Sequence, residues 1–500
     1  MLLDRPIQEL ADMTRKKEIR SEDLVREAYG AVEQHDGALR AFITVRPKED
    51  ALREARELDG EEQKRSLLHG LPFSVKDVYA LAGGTTTAGS KVLEGFSPPF
   101  EATVVRKLRD AGAILIGTNT LDAWGHGGSS ENTDFGIPRN PYDHTRVAGG
   151  SSGGTAVAVA ARMVAFGVGE DTGGSIRNPA SMCNVSGLKV TYGRVSRYGA
   201  IAYASSLDTV GPMAKSAADL ASVLSVMAGK DPFDATSANR PVPDYAAAQR
   251  EPLGSIRIGV PKEFRSAAVE PAVQEKIDEA LNVFRTLGAT IVDVEIPTIA
   301  RSVPIYYLVA LTETASNLGR YDGVRFGHGR GNFTKETVKR ILVGTYASKA
   351  GYADALYLRA QKGRTLLRRE FEGVFDSCDM LLGPTVPMLP PMLGDFVRDP
   401  MQNLLIDMFL GAFNLVGAPA VSIPAGFAGT LPVGLQLIGK MWDEETLLRW
   451  ANAYQKKTEW HTHSPDGILT TAAQRVSDRE ARGADTAHRM PHDGTRGATE

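Results

Sequence analysis

Cysteine is almost absent. Cys183 and Cys378 are the only two in 500 residues, which excludes a disulfide scaffold and fits a reducing compartment. Long apolar runs are missing too: the longest, Ala156 to Val168, is too short to span a bilayer and carries Arg162. The start, MLLDRPIQEL, has acidic and polar residues where a secretory signal needs a basic start and an apolar core, so the chain reads as cytoplasmic. Excess charge of one sign is lacking. With a formal net charge of −3, bulk attraction to nucleic acid is excluded, and any RNA contact needs a local patch or a partner subunit. The nine histidines form no H-E-x-x-H or Cys/His set, and neither G-x-x-x-x-G-K-[ST] nor a strand-linked G-x-G-x-x-G occurs, which counts against a metal centre and against nucleotide binding.

What remains is an ordinary soluble composition, 42% hydrophobic and 23% charged, in a chain long enough for a large core. Residues 1–64 carry apolar positions at helical spacing, as in SEDLVREAYGAVEQHD, where Ser21 can cap and Leu24, Ala28 and Val32 share a face. This predicts an N-terminal helical layer. From residue 65 onward short apolar runs alternate with amphipathic helices: ATVVRKLRDAGA precedes ILIG, and VQEKIDEALNVFRTLGA precedes TIVDVEI. That alternation predicts an α/β core with helices covering a sheet. Residues 464–500 are polar, Gly-rich and aperiodic, which predicts disorder.

The chemistry concentrates in RVAGGSSGGTAVAVAARMVAFGVGEDTGGSIRNPAS, which sets Ser151 and Ser175 in separate glycine-rich segments joined by a small-residue helix. GGSSG matches the G-x-S-x-G pattern of a nucleophile elbow, but NPYDHTRVA rather than an apolar strand precedes it. A glycine turn capping the helix that starts near Thr155 fits equally. In GEDTGGSIRNPA, the amides of Thr172, Gly173 and Gly174 can converge on one point, either on the oxyanion of an intermediate formed at Ser175 or on a bound phosphate. Lys76 follows the apolar run Leu71 to Val75. Buried at a strand end it can act as a base, and paired with Asp77 it is only a satisfied charge.

Together, Lys76, the first serine of GGSSGG and the serine of DTGGS, spaced 75 and 24 residues apart, resemble the signature of the amidase family. The likeness runs from SEDLVREAYGAVEQHD to WANAYQKKTEWH, nearly the whole chain without its tail. It implies an α/β fold, an α/β/α sandwich with a large mixed central sheet covered by helices, in which residues 1–64 form a layer of the domain at 65–463. It also implies that Ser175 attacks an amide carbonyl while Ser151, held across a cis peptide, relays its proton to and from neutral Lys76. Thr172, Gly173 and Gly174 would then supply the oxyanion hole, with Asp171 and Arg177 supporting the loop.

Within the family, stretches such as GGSSENTDFGIPRNPYD, KVTYGRVSRYGAIAYASSLDTVGPM and FNLVGAPAVSIPAGF are similar to the glutamine-hydrolysing A subunits of tRNA-dependent amidotransferases. That likeness implies B-type and C-type partner subunits, tRNA met only through the complex, no cofactor in this chain, and ATP and Mg used by a partner. It places the glutamine-holding groups on Tyr306, Arg340 and Asp407: a phenol to orient, a guanidinium for the α-carboxylate and a carboxylate for the α-ammonium. Each also reads otherwise, Tyr306 as core, Arg340 as a helix-face charge and Asp407 as a cap. The rival function is a stand-alone, homodimeric amidase acting on small or aryl amides with the same triad. A third is a catalytically silent binding protein. LDAWGHG at residues 121–127, with an apparent one-residue insertion, and a short segment between Phe326 and Arg340 depart from the family pattern on the substrate side.

Overall fold

In the computed structural model, which describes residues 1–266, 268–399 and 401–465, apolar runs become strands β1 (Phe42–Val45), β2 (Pro72–Lys76) and β3 (Ile114–Asn119). A small pair follows, β4 (Arg139–Asn140) and β5 (Asp143–Val147), and then β6 (Phe166–Asp171), β7 (Ser186–Lys189) and β8 (Thr209–Ala214). The second half adds β9 (Ile256–Pro261), β10 (Ala289–Val294), β11 (Met380–Pro384), β12 (Ala420–Ala428) and β13 (Leu431–Gly439). Apart from β4 and β5, all join one sheet in the order β1-β3-β2-β6-β8-β7-β12-β13-β11-β9-β10. The sheet is mixed: β2 runs parallel to β3 and β6, whereas β8 runs antiparallel to β6 and β7. Helices packed over the central strands bury them on both faces, so β2, β3, β6 and β8 are buried residue by residue and read as continuous apolar runs. Edge strand β10 keeps exposed positions. The predicted tail from 464 falls outside the described residues except for Ser464 and Pro465.

The N-terminal segment is helical at Ile7–Arg15, Ser21–Leu39 and Lys48–Asp59, but it is not helix alone. Phe42 to Val45, a run of aromatic and β-branched residues, adds β1 to the sheet edge, antiparallel to β3. Ser21 does not cap its helix. The Asp59 carboxylate accepts from the main-chain N–H groups of Ser21 (2.6 Å) and Glu22 (3.1 Å), meeting by a tertiary contact the donors that a local cap would have met. No helix among the described residues is long and apolar enough to cross a membrane.

Because β2 and β6 are parallel neighbours in register from Phe73 against Phe166 to Val75 against Val168, their C-terminal ends lie together, and ligands gather at such ends in sheets of this kind. The helix Gly153–Ala160 is buried at every residue. Its Gly and Ala surface lets it approach closely: a Cβ at Gly154 would lie 2.4 Å from Ala41 O and one at Gly167 2.5 Å from Thr155 Cγ2.

Candidate active site

Lys76 ends β2, and its Nζ donates to Ser151 Oγ at 2.7 Å, Glu170 Oε2 at 2.9 Å and Glu170 O at 3.3 Å. All three side chains are buried, Lys76 and Ser151 completely. Asp77 is not its counter-ion. That carboxylate turns to Thr87, accepting from its amide at 2.9 Å and from its hydroxyl. Glu170 fills the place instead, and sequence reasoning passed it over; the signal was a pair of consecutive acids, Glu170 and Asp171, closing an apolar strand. Ser151 follows a cis peptide bond, Gly150–Ser151. Its carbonyl accepts from Asp122 N at 3.2 Å, and Ser152 N donates to Ser175 O at 3.1 Å, which sets the two serine segments against each other. No hydrogen bond joins the Ser151 and Ser175 hydroxyls.

After Asp171 the chain turns through Thr172, Gly173, Gly174 and Ser175 into the helix Arg177–Met182. The Asp171 carboxylate organises this turn by accepting from Gly174 N (2.7 Å), Ile176 N (3.1 Å) and Arg177 Nε (3.1 Å). Arg177 is fully buried and also donates to Gln436 Oε1, Leu410 O and Asn414 Oδ1. Burial alone would raise the Asp171 carboxyl, but the Arg177 charge and hydrogen bonds hold it well below the usual carboxylate range. Gly174, expected as an oxyanion donor, drops out of that set because its N–H is committed to Asp171. Among the described residues no acceptor faces the amides of Gly173 or Ser175. Both glycines are needed for space as well: a Cβ on Gly174 would lie 2.5 Å from Leu410 Cδ1, and one on Gly173 2.3 Å from Tyr306 Cζ.

The Thr172 side chain points elsewhere. Its hydroxyl bonds to Glu170 Oε1 and, at 2.7 Å, to Asp208 Oδ1. Asp208 also accepts from the main-chain N–H groups of Tyr203 and Ala204. A cavity of about 270 Å³ is lined by Glu170, Asp208, Arg197 and Ser205 among others.

Tyr306, from the helix Ser302–Asn317, packs its ring over Gly173 and meets Tyr307 edge-on, centroids 5.4 Å apart. Arg340, from Lys335–Ser348, is buried rather than lying on an exposed helix face. Its Nη1 donates to the Tyr203 hydroxyl at 2.8 Å and its Nε to Glu336 at 2.9 Å, with the Tyr307 ring 5.7 Å away. The Tyr307 hydroxyl donates to Asp407 Oδ2 at 3.0 Å. Burial pushes the Asp407 carboxyl up to about 7 against the lowering pull of the Tyr307 bond and Arg340. The structure thus brings Tyr306, Arg340 and Asp407 together through Tyr203 and Tyr307, neither of which the sequence singled out. His126, in the divergent LDAWGHG stretch, stands edge-on to Tyr203 at 4.7 Å and lies 2.8 Å from Thr314 Oγ1; burial holds its ring neutral.

Among the described residues no group of three or more His, Cys, Asp or Glu is placed to hold a metal ion. The arrangement offers a serine in an amide-rich turn, a lysine on a second serine, and a neighbouring cluster of side chains with one buried cation, Arg340, and one carboxyl, Asp407. A family model described as Amidase matches residues 23–448. The A subunit of the glutamyl-tRNA(Gln) amidotransferase from Chloroflexus aurantiacus is 47% identical over 466 residues, 90% of this chain and 95% of that protein. Among solved structures, the A subunit of the glutamyl-tRNA(Gln) amidotransferase from Thermotoga maritima superposes with a TM-score of 0.79 at 36% identity, over 91% of this chain and 95% of that one. The native peptide amidase of Stenotrophomonas maltophilia gives 0.76 at 32% identity, over 91% and 97%.

Proposed function

This chain belongs to the amidase family, and on that premise we propose that it hydrolyses the side-chain amide of glutamine as the A subunit of a tRNA-dependent amidotransferase. The observation that carries the reading is the 2.7 Å bond from Lys76 Nζ to Ser151 Oγ beside the Ser175 turn. Ser175 Oγ attacks the amide carbon; its proton passes to Ser151 Oγ as the Ser151 proton passes to Lys76. The amides of Gly173 and Ser175, with that of Thr172, receive the oxyanion. Returning the proton through Ser151 to the nitrogen expels ammonia, and water then cleaves the glutamyl ester to regenerate Ser175. Asp171 and Arg177 hold the turn.

Arg340 takes the α-carboxylate, Asp407 the α-ammonium, and Tyr306 orients the substrate over Gly173. Ammonia goes to a B-type partner, which uses ATP and Mg to amidate the misacylated tRNA, with a small C-type partner joining the two in the cytoplasm. The stand-alone amidase is not favoured: identity falls from 47% with the Chloroflexus protein to 32% with the peptide amidase.

The test is ammonia release from L-glutamine by the purified chain, alone and with B-type and C-type partners, ATP and mischarged tRNA. Activity that rises strongly with the partners supports the reading. Robust cleavage of other amides with indifference to glutamine and partners overturns it. Lys76→Ala should abolish turnover with the fold retained, and near wild-type activity in that variant would remove lysine from the mechanism.

A further inference from the structure

We propose that Glu170 is a positioning residue for Lys76: its carboxylate, buried with the amine and 2.9 Å from Nζ, holds that amine on Ser151 and takes up its proton when it acts as a base. The inference rests on Lys76 being the base of the hydrolysis proposed above. A lysine buried without an anion loses its proton readily, whereas one beside a carboxylate favours the ammonium. Lys76 therefore needs a local route to the amine, and the groups behind Glu170 provide one.

Thr172 Oγ1 bonds to both Glu170 Oε1 and Asp208 Oδ1. A hydroxyl has a single proton, so Thr172 donates to one carboxyl and the other must donate to Thr172. Asp208 is that donor. Its burial and the charge of Glu170 push its carboxyl well above the usual range. With Asp208 protonated, Lys76 and Glu170 form either an ammonium beside a carboxylate or, after one proton crosses from Nζ to Oε2, an amine beside a carboxylic acid. Both arrangements have no net charge, so the crossing brings no charge into or out of a buried site. From the amine arrangement Lys76 takes the Ser151 proton as Ser151 takes that of Ser175.

The other ionisable groups around this cluster do not replace Glu170. The Tyr79 phenol donates to Gly169 O at 2.7 Å. Asp122, beyond Ser151, accepts from Ser130 N and Asn132 N. The Tyr203 hydroxyl oxygen accepts from Arg340, and Arg197 faces Asp208 across the cavity, its guanidinium on Ser205 O, Thr236 and Tyr192.

The experiment compares kcat/KM against pH for wild type, Glu170→Gln and Glu170→Asp, with thermal melts as the check on folding. In Glu170→Gln the acid limb should move up by about a pH unit or more, because without Oε2 to take its proton Lys76 reaches the amine only by losing that proton to solvent, whereas in wild type the crossing supplies the amine with no change in net charge. Glu170→Asp, with a shorter reach, should fall between. Should Glu170→Gln not fold, the shift of Glu170→Asp alone decides. Profiles that superimpose on wild type after scaling overturn the inference, since a purely structural role changes amplitude and not the limb. An active Lys76→Ala would sink the hydrolysis reading itself, whereas an inactive Lys76→Ala with unshifted Glu170 variants removes this inference alone.

Discussion

Replacing Arg177 by Met tests whether the turn that carries Ser175 is held by charge. The guanidinium is fully buried against a fully buried Asp171 and makes bonds to Asp171, Gln436, Leu410 and Asn414. Removing one member of a buried, hydrogen-bonded pair costs about 3–5 kcal/mol, because the remaining charge stays buried and unpaired. Some compensation survives: Asp171 keeps Gly174 N, Ile176 N and Asn414 Nδ2 (2.9 Å) as donors, which places the expected loss near about 3 kcal/mol. The loss also depends on pH, with a sign that follows from the depressed Asp171 carboxyl. A carboxyl held below its unfolded value of about 3.9 contributes stability above that pH and loses it as pH falls toward the folded value. In Arg177→Met the remaining donors no longer outweigh burial, which raises the carboxyl, so the deficit should be largest near neutral pH and narrow toward about pH 3. Urea unfolding of wild type, Arg177→Met and Asp171→Asn/Arg177→Met across that range measures it. The double variant should recover part of the deficit. A loss under about 1 kcal/mol, or one that is constant with pH, would refute the claim that this pair holds the turn by charge.

Arg340→Ala should raise KM for glutamine about 10- to 100-fold, the equivalent of one charge-assisted hydrogen bond, and leave KM for a neutral primary amide nearly unchanged; equal effects on both substrates would show that Arg340 does not meet the carboxylate. Asp407 is ionised only above about 7, so KM for glutamine should fall as pH rises through that value, and Asp407→Asn should flatten the dependence. The same slope on an amide without an ammonium would assign it to another group. Gly173→Ala puts a Cβ 2.3 Å from Tyr306 Cζ, and displacing either the amide or the ring should lower kcat/KM by about 10²–10³; steady-state rates near wild type would mean the ring is free to move.

The elements legible in the sequence were those whose signal is local. The apolar run before Lys76, the helix and strand pair around Ile114, and the small-residue helix between the two serine turns all stand where composition put them. Strand β1 was not legible, because Phe42 to Val45 sits between helices and its partner β3 lies more than seventy residues on. The Ser21 cap failed for the same reason: Asp59, 38 residues away, reached the donors first. In the site, the glycines and serines announced themselves by spacing, but Gly174 was misread as a free donor. Nothing in the string GEDTGGS says whether Asp171 faces solvent or folds back on its own turn. Tyr203, which accepts from Arg340, lies 137 residues from it in the chain, with no pattern to join them.

The consecutive acids Glu170 and Asp171 show what that local reading lacked. Successive side chains on a strand point to opposite faces, so at the end of β6 one carboxylate reaches Lys76 and the other reaches Arg177. Two clusters that share no side chain are thereby fixed to adjacent residues of one backbone. Lys76 and Ser151 are tied to Glu170 on one face, and the Ser175 turn is tied to Asp171 on the other. Thr172, next in the chain, returns its hydroxyl to Glu170 and Asp208 while its main chain continues into the turn. A shift in this strand end moves base and nucleophile together, which is the condition for relaying a proton between them. It follows that Glu170 and Asp171 should not be interchangeable with any pair that supplies only one of the two anions: losing the first alters the pH dependence of the base, and losing the second alters the stability of the turn.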